Sequence, residues 1–143
     1  MHLISVVALP AFLLSILVFG LEGDLFSSAP GVIACQVGGL AVMIWARTVF
    51  PKGSFRVAVK PAGSVIIQTG PYRFIRHPMY AGALLILWGS IPGHVSIANV
   101  GIGFAASLVV LGKIVAEEWL LRASFPSYEQ YGRSTKAVIP LVL

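Results

Sequence analysis

His77 and Tyr80 open a 35-residue stretch, Pro78 to Gly112, that contains no Asp, Glu, Lys or Arg, while Lys113, Glu117 and Glu118 stand just beyond its far end. An imidazole and a phenol three residues apart lie on one face of a helix. Pro78 suits a first helical turn and puts His77 at or near the N-cap, where free backbone N–H groups and the positive helix end favour an anionic group. Lys113 with Glu117, and Glu118 with Arg122, are spaced as salt-bridge pairs on a helix. Taken alone such pairs are ordinary interfacial ion pairs. In a chain with only 10% charged residues, their convergence with His77 and Tyr80 marks a site in a half-buried cleft.

The elements that position these groups follow from hydropathy. A chain that is 57% hydrophobic, with a mean hydropathy of +0.91, carries more apolar surface than one soluble core of 143 residues can bury. Residues 3–21 hold no charge and are long enough to cross a hydrocarbon core of roughly 30 Å. A cleaved signal peptide fits them less well, because no Lys or Arg precedes the run and no small-x-small site follows at "LEGD". A second uncharged run ends at Arg47, which can snorkel to the headgroups. The run after His77 would measure about 52 Å as one helix, so it folds back on itself. "SIPGH", residues 90–94, supplies the break. The expected architecture is an all-α polytopic membrane protein in a single domain, 1–143, with spans near 3–21, 28–47, 78–91 and 95–115. Gly101 with Ala105 and Gly103 with Ser107 place small residues four apart on the last span.

All ten Lys and Arg fall between Arg47 and Arg76 or between Lys113 and Lys136, which assigns both regions, both termini and the polar cluster to the cytoplasmic side. The net charge of +5 flanks spans rather than forming a basic domain, so lipid headgroups and not nucleic acid are the expected partner. Cys35 is the only cysteine, which leaves no disulfide and no Cys/His metal cluster to expect. "SFRVAVK", residues 54–60, alternates like an extended or interfacial segment, and the Gly-Pro turn at 70–71 holds Tyr72 and Arg73 near the membrane surface. The pattern leaves the oligomeric state open.

"GPYRFIRHPMYAG", a hydrophobic hairpin, and "EEWLLRASFPSYEQY" followed by Ile139-Pro140 together resemble the C-terminal core of the isoprenylcysteine carboxyl methyltransferase and phospholipid methyltransferase group of integral membrane enzymes. The likeness covers roughly residues 64–140. It implies S-adenosylmethionine as cofactor, held in a membrane-embedded pocket at the cytoplasmic face, and a lipophilic methyl acceptor bearing a carboxyl, thiol or amine. Residue by residue, the resemblance implies that Ser64, Val65, Ile66 and Ile67 line the cofactor pocket and that Tyr72 faces it. His77, Pro78, Met79 and Tyr80 form its main wall, Glu117 binds the cofactor and Glu118 supports it. Lys113 takes the place of an arginine that touches substrate in the isoprenylcysteine enzymes; Arg122 and Arg133 are further candidates to steer an anionic head. The chain departs from the pattern at "FPSYEQY", where Phe-Gly is usual, and at Ser64, where histidine is frequent. Many members carry further N-terminal spans.

Methyl transfer from a sulfonium rests mainly on positioning, so no nucleophile or base is assigned and no metal is expected. Two other classes share part of the pattern. An NADPH-dependent membrane sterol or enone reductase calls for an Asn-Tyr pair and an acidic residue after the glycine, where this chain has Met79 before Tyr80 and Ala83 after Gly82. A non-catalytic membrane scaffold would use the same residues only to cap helices and fix topology.

Overall fold

A computed structural model describes residues 27–49 and 66–138, together with isolated positions between 17 and 23. Most of the first expected span, the "SFRVAVK" stretch, and Ser64 and Val65 of the expected cofactor wall lie outside the described residues. Among the described residues the fold is helical, without strands.

Helix α1, Pro30–Thr48, begins with Pro30 in its first turn and ends with Arg47 in its last, a cation placed where the helix dipole is negative. It buries only Val32, Gly39 and Ala46, one residue every second turn. The reason is its partner. Helix α2, Pro78–Ser90, crosses α1 so closely that a Cβ on Gly39 would stand 2.5 Å from the Gly82 carbonyl oxygen, and one on Gly82 equally close to the Gly39 carbonyl oxygen. One turn from Gly39, Cys35 lies against Gly89. Gln36 adds a hydrogen bond from Nε2 to Ser90 Oγ at 3.0 Å. Backbone-to-backbone approach of this kind is how helices associate where apolar side chains gain nothing by leaving lipid.

At the far end of α2 a 3-10 turn, Ile91–Gly93, reverses the chain. Ser96 then caps α3, Ile97–Ser124, by accepting from the Asn99 backbone N–H, and the Asn99 side chain donates to the His94 carbonyl at 2.7 Å. The hairpin expected from "SIPGH" is therefore present. Near its turn Trp88 Nε1 donates to Ser107 Oγ at 3.0 Å, and the Trp88 ring lies over Gly103. Gly103 and Ser107 thus make helix contacts, whereas a Cβ on Gly101 would meet nothing.

Two described helices, α1 and α3, are long and apolar enough to cross a membrane. Their exposed faces carry Ile33, Val37, Leu40 and Ile44 on α1 and Phe104, Leu108, Leu111 and Val115 on α3. Helix α3 runs beyond the expected limit of 115, because its polar last turns find partners and nothing interrupts it before Phe125, which is extended ahead of Pro126. Helix α2 has 13 residues, about 20 Å of helix.

The segment before α2 is fixed at both ends. Gly70, with φ +59°, starts a 3-10 turn Gly70–Arg73; a Cβ there would strike Val49 at 2.6 Å, so the position needs glycine for conformation and for room. Helix α4, Tyr128–Ser134, and the residues after it return to this segment. Ile75 and Lys136 form a parallel bridge, and Val138 packs with Val110, Ile114, Tyr80 and Leu84 in the space between α2 and α3.

Candidate functional site

The hairpin brings the start of α2 against the end of α3, as the spacing required. His77 is the α2 N-cap residue and is buried to 6% exposure. Its ring lies between two carboxylates: Nδ1 is 3.6 Å from Glu117 Oε2 and Nε2 is 3.5 Å from Glu118 Oε1. Adjacent positions on a helix point about 100° apart, so two neighbouring glutamates can flank one ring only if the ring sits over the junction between their faces. Tyr80, one turn along α2, stacks with His77 at a centroid distance of 5.7 Å and donates its hydroxyl to Glu117 Oε1 at 2.7 Å. The result is a row, Tyr80–Glu117–His77–Glu118, with a cation against each of its two carboxylates.

Lys113, one turn before Glu117 on α3, is buried, with Nζ 3.6 Å from Glu117 Oε1. On the other side Arg76 donates from Nε to Glu118 Oε1 at 2.6 Å, and Arg122, largely exposed, donates to Glu118 Oε2 at 3.2 Å. Three cations therefore surround two carboxylates. Charges this far out of water are sustained only by partners, and removing one partner of a buried pair typically costs about 3–5 kcal/mol.

The remaining expected residues divide. Ile66 and Ile67 are half-buried and lead into the Gly70 turn, Pro78 is buried and Met79 half-buried beside His77. Tyr72 is half-buried on the 3-10 turn; burial first, then the nearby Tyr131 and Glu117, raises the pKa of its hydroxyl. Arg133 stands apart: it is paired with Glu129 at 2.7 Å on the outer face of α4, both side chains exposed.

Three contributors carried no role in the sequence reading. Arg76, next to His77 in "RHPMY", holds Glu118. Tyr131 donates its hydroxyl to the Tyr72 carbonyl at 2.6 Å; burial pushes that hydroxyl up to about 12, so it is a donor at neutral pH. Tyr128, 2% exposed, packs edge-on against Tyr131 at 5.7 Å. The spacing of the two tyrosines in "SYEQY" was the available signal, since residues three apart on a helix share a face. Among the described residues no group of three or more His, Cys, Asp or Glu has an arrangement that could hold a metal ion.

Fold and row together define a helical protein with two helices long and apolar enough to cross a membrane and a polar site at one end of a hairpin. The chain belongs to the phospholipid methyltransferase family, whose profile matches residues 26–127. It is similar to the nickel-cobalt-cadmium resistance protein NccN of Alcaligenes xylosoxydans xylosoxydans, 30% identical over 77 residues that cover 52% of this chain and 36% of that protein. It is also similar to the cobalt-zinc-cadmium resistance protein CzcN of Cupriavidus metallidurans, 31% identical over 78 residues, 54% of this chain and 36% of that one. The matched part is thus about a third of the length of these relatives. No solved structure matches the chain significantly.

Proposed function

We propose that the protein is an S-adenosylmethionine-dependent membrane methyltransferase acting on a lipophilic acceptor. The observation that carries this reading is the Tyr80–Glu117–His77–Glu118 row: a half-buried acidic and aromatic cluster around the buried His77, in a chain of a methyltransferase family, built from the two segments whose motifs resemble that group's cofactor site. The donor set suits the cofactor. Glu117 supplies an anionic oxygen for an ammonium or ribose hydroxyl, and the rings of Tyr80 and Tyr72 offer faces that attract a sulfonium.

Bound there, S-adenosylmethionine would supply an activated methyl group for an in-line displacement. The residues then need to hold and orient rather than donate a nucleophile. Glu117 is the anchoring carboxylate, with Tyr80 fixing its orientation. Pro78, Met79, Ile66 and Ile67 exclude water around it. Lys113, whose partner Glu117 would be shared with the cofactor, is the cation nearest an anionic acceptor head, with Arg122 further out. The acceptor's apolar tail lies between helices and enters from the bilayer. In this reading the chain spans four times, with both termini and the row on the cytoplasmic side.

Isothermal titration of the detergent-purified protein tests the reading. Saturable binding of S-adenosylmethionine and S-adenosylhomocysteine, with no binding of NADPH, is the expected result. Binding of NADPH alone moves the chain to the reductase class, and binding of none of the three leaves a scaffold.

A further inference from the structure

Arg76 has no part in the proposed contacts with cofactor or acceptor, yet its side chain joins three parts of the chain. Its Nε donates to Glu118 Oε1 on α3 at 2.6 Å. Its Nη1 donates to the Gly132 carbonyl at 2.9 Å and to the Thr135 carbonyl, at the end of α4 and just after it. The main chain repeats the connection: Arg76 N–H donates to the Lys136 carbonyl at 2.8 Å, His77 N–H to the Ala137 carbonyl at 2.9 Å and Lys136 N–H to the Phe74 carbonyl at 3.3 Å. Residues 128–138 thus form a strap stitched alongside residues 72–77.

A guanidinium presents donors along separate edges in a fixed plane, whereas an ammonium is a point charge. Only the former can hold a carboxylate on one edge and a pair of carbonyls on another. Because Glu118 Oε1, the oxygen that Arg76 grips, is also the one 3.5 Å from His77 Nε2, the arginine sets where that carboxylate stands beside the ring. We infer that Arg76 is a positioning residue: it latches the strap 128–138 to α3 and, through Glu118, fixes His77 between its two carboxylates, so that strap docking and ring placement are one event. The consequence for cofactor binding rests on the function proposed above; the latch itself does not.

The test uses the full chain in detergent with Arg76→Lys and Arg76→Gln. Trypsin cleavage after Lys136, followed by intact mass, reads the strap, since cleavage tracks the population of the opened form. The NMR signal of 13C-labelled His77, assigned by its loss in His77→Asn, reads the ring. Both variants are expected to lose residues 137–143 at least tenfold faster than the wild type, to shift the His77 signal, and to weaken S-adenosylmethionine binding at least fivefold. Glu129→Gln, which removes only the outer pair with Arg133, should leave the His77 signal in place. Unchanged cleavage in the Arg76 variants overturns the latch. A released strap with an unmoved His77 signal overturns the coupling, as does rescue of both readouts by lysine. If the Arg76 variants do not fold, Tyr131→Phe, which unpicks the hydrogen bond to the Tyr72 carbonyl, provides the same comparison. A wild type that binds no S-adenosylmethionine refutes the proposed function, while cleavage and NMR still decide the latch.

Discussion

Glu117 receives the Tyr80 hydroxyl at 2.7 Å, lies 3.6 Å from Lys113 Nζ and faces His77 with its other oxygen, whereas Glu118 is engaged by two arginines. Each carboxylate has three neighbours, since Glu118 also lies 3.5 Å from His77. Glu118, however, accepts two charge-assisted hydrogen bonds from arginines, whereas Glu117 accepts one, from a neutral phenol, and meets Lys113 and His77 only at 3.6 Å, which leaves it the freer to accept a ligand. Glu117→Gln is expected to weaken S-adenosylmethionine binding by about 1.5–3 kcal/mol, the range for a hydrogen bond to a charged group, and Tyr80→Phe to weaken it less. In a double-mutant cycle the two should be non-additive, because once Glu117 is neutral the tyrosine orients nothing of consequence. Full additivity by calorimetry would count against their acting as a unit. The meeting of His77 and Tyr80 with Glu117 and Glu118 was legible in the sequence, since a tight hairpin forces its two open ends together and the motifs sit at those ends. The part played by Arg76 was not. Its partners at Gly132 and Thr135 are backbone carbonyls, which every residue possesses and no side-chain pattern announces.

At the scale of elements, α1 and α2 are joined through Gly39 and Gly82, with no room for a side chain at either place. Gly82→Leu should separate the helices and destabilise the protein severely, by several kcal/mol if the overpacking is not relieved. Gly101→Leu, placed where a Cβ meets nothing, should be nearly silent. Thermal unfolding in detergent compares them, and equal melting temperatures would contradict this account of the packing. The sequence marked Gly101 and Gly103 by their four-residue spacing with Ala105 and Ser107, and only the second pair is used. Gly39 and Gly82 lie on different helices, so no period within one segment could reveal them. The break at Pro92 was easier, because it is local: proline acts within a few residues of itself. Where α3 would stop was less legible, since the partners that let its polar end stay helical come from Arg76 and His77, about forty residues away in the chain.

For the whole molecule, the Lys and Arg distribution predicts a topology that reporters can read. Fusions at Ser27 and after Leu143 should report opposite sides of the membrane, and same-side readings would sink the four-span arrangement. One further consequence comes from the length of α3. Its 28 residues measure about 42 Å, and Glu117 lies about 30 Å from Ile97 along the axis, close to the depth of a hydrocarbon core. With α3 spanning as proposed, the row sits where oil gives way to headgroups, and that depth is fixed by counting residues from the hairpin turn. Hydrophobic mismatch then acts on ligand binding directly. In thicker bilayers the carboxylates are drawn toward hydrocarbon; in thinner ones the cluster is lifted into water and its ion pairs are screened. Reconstituted into phosphatidylcholines of increasing acyl length, the protein should show an affinity maximum near a 30 Å core, and a flat profile would refute it. Bilayer thickness is on this account a physiological input to the site, sensed by the distance between a turn and a glutamate.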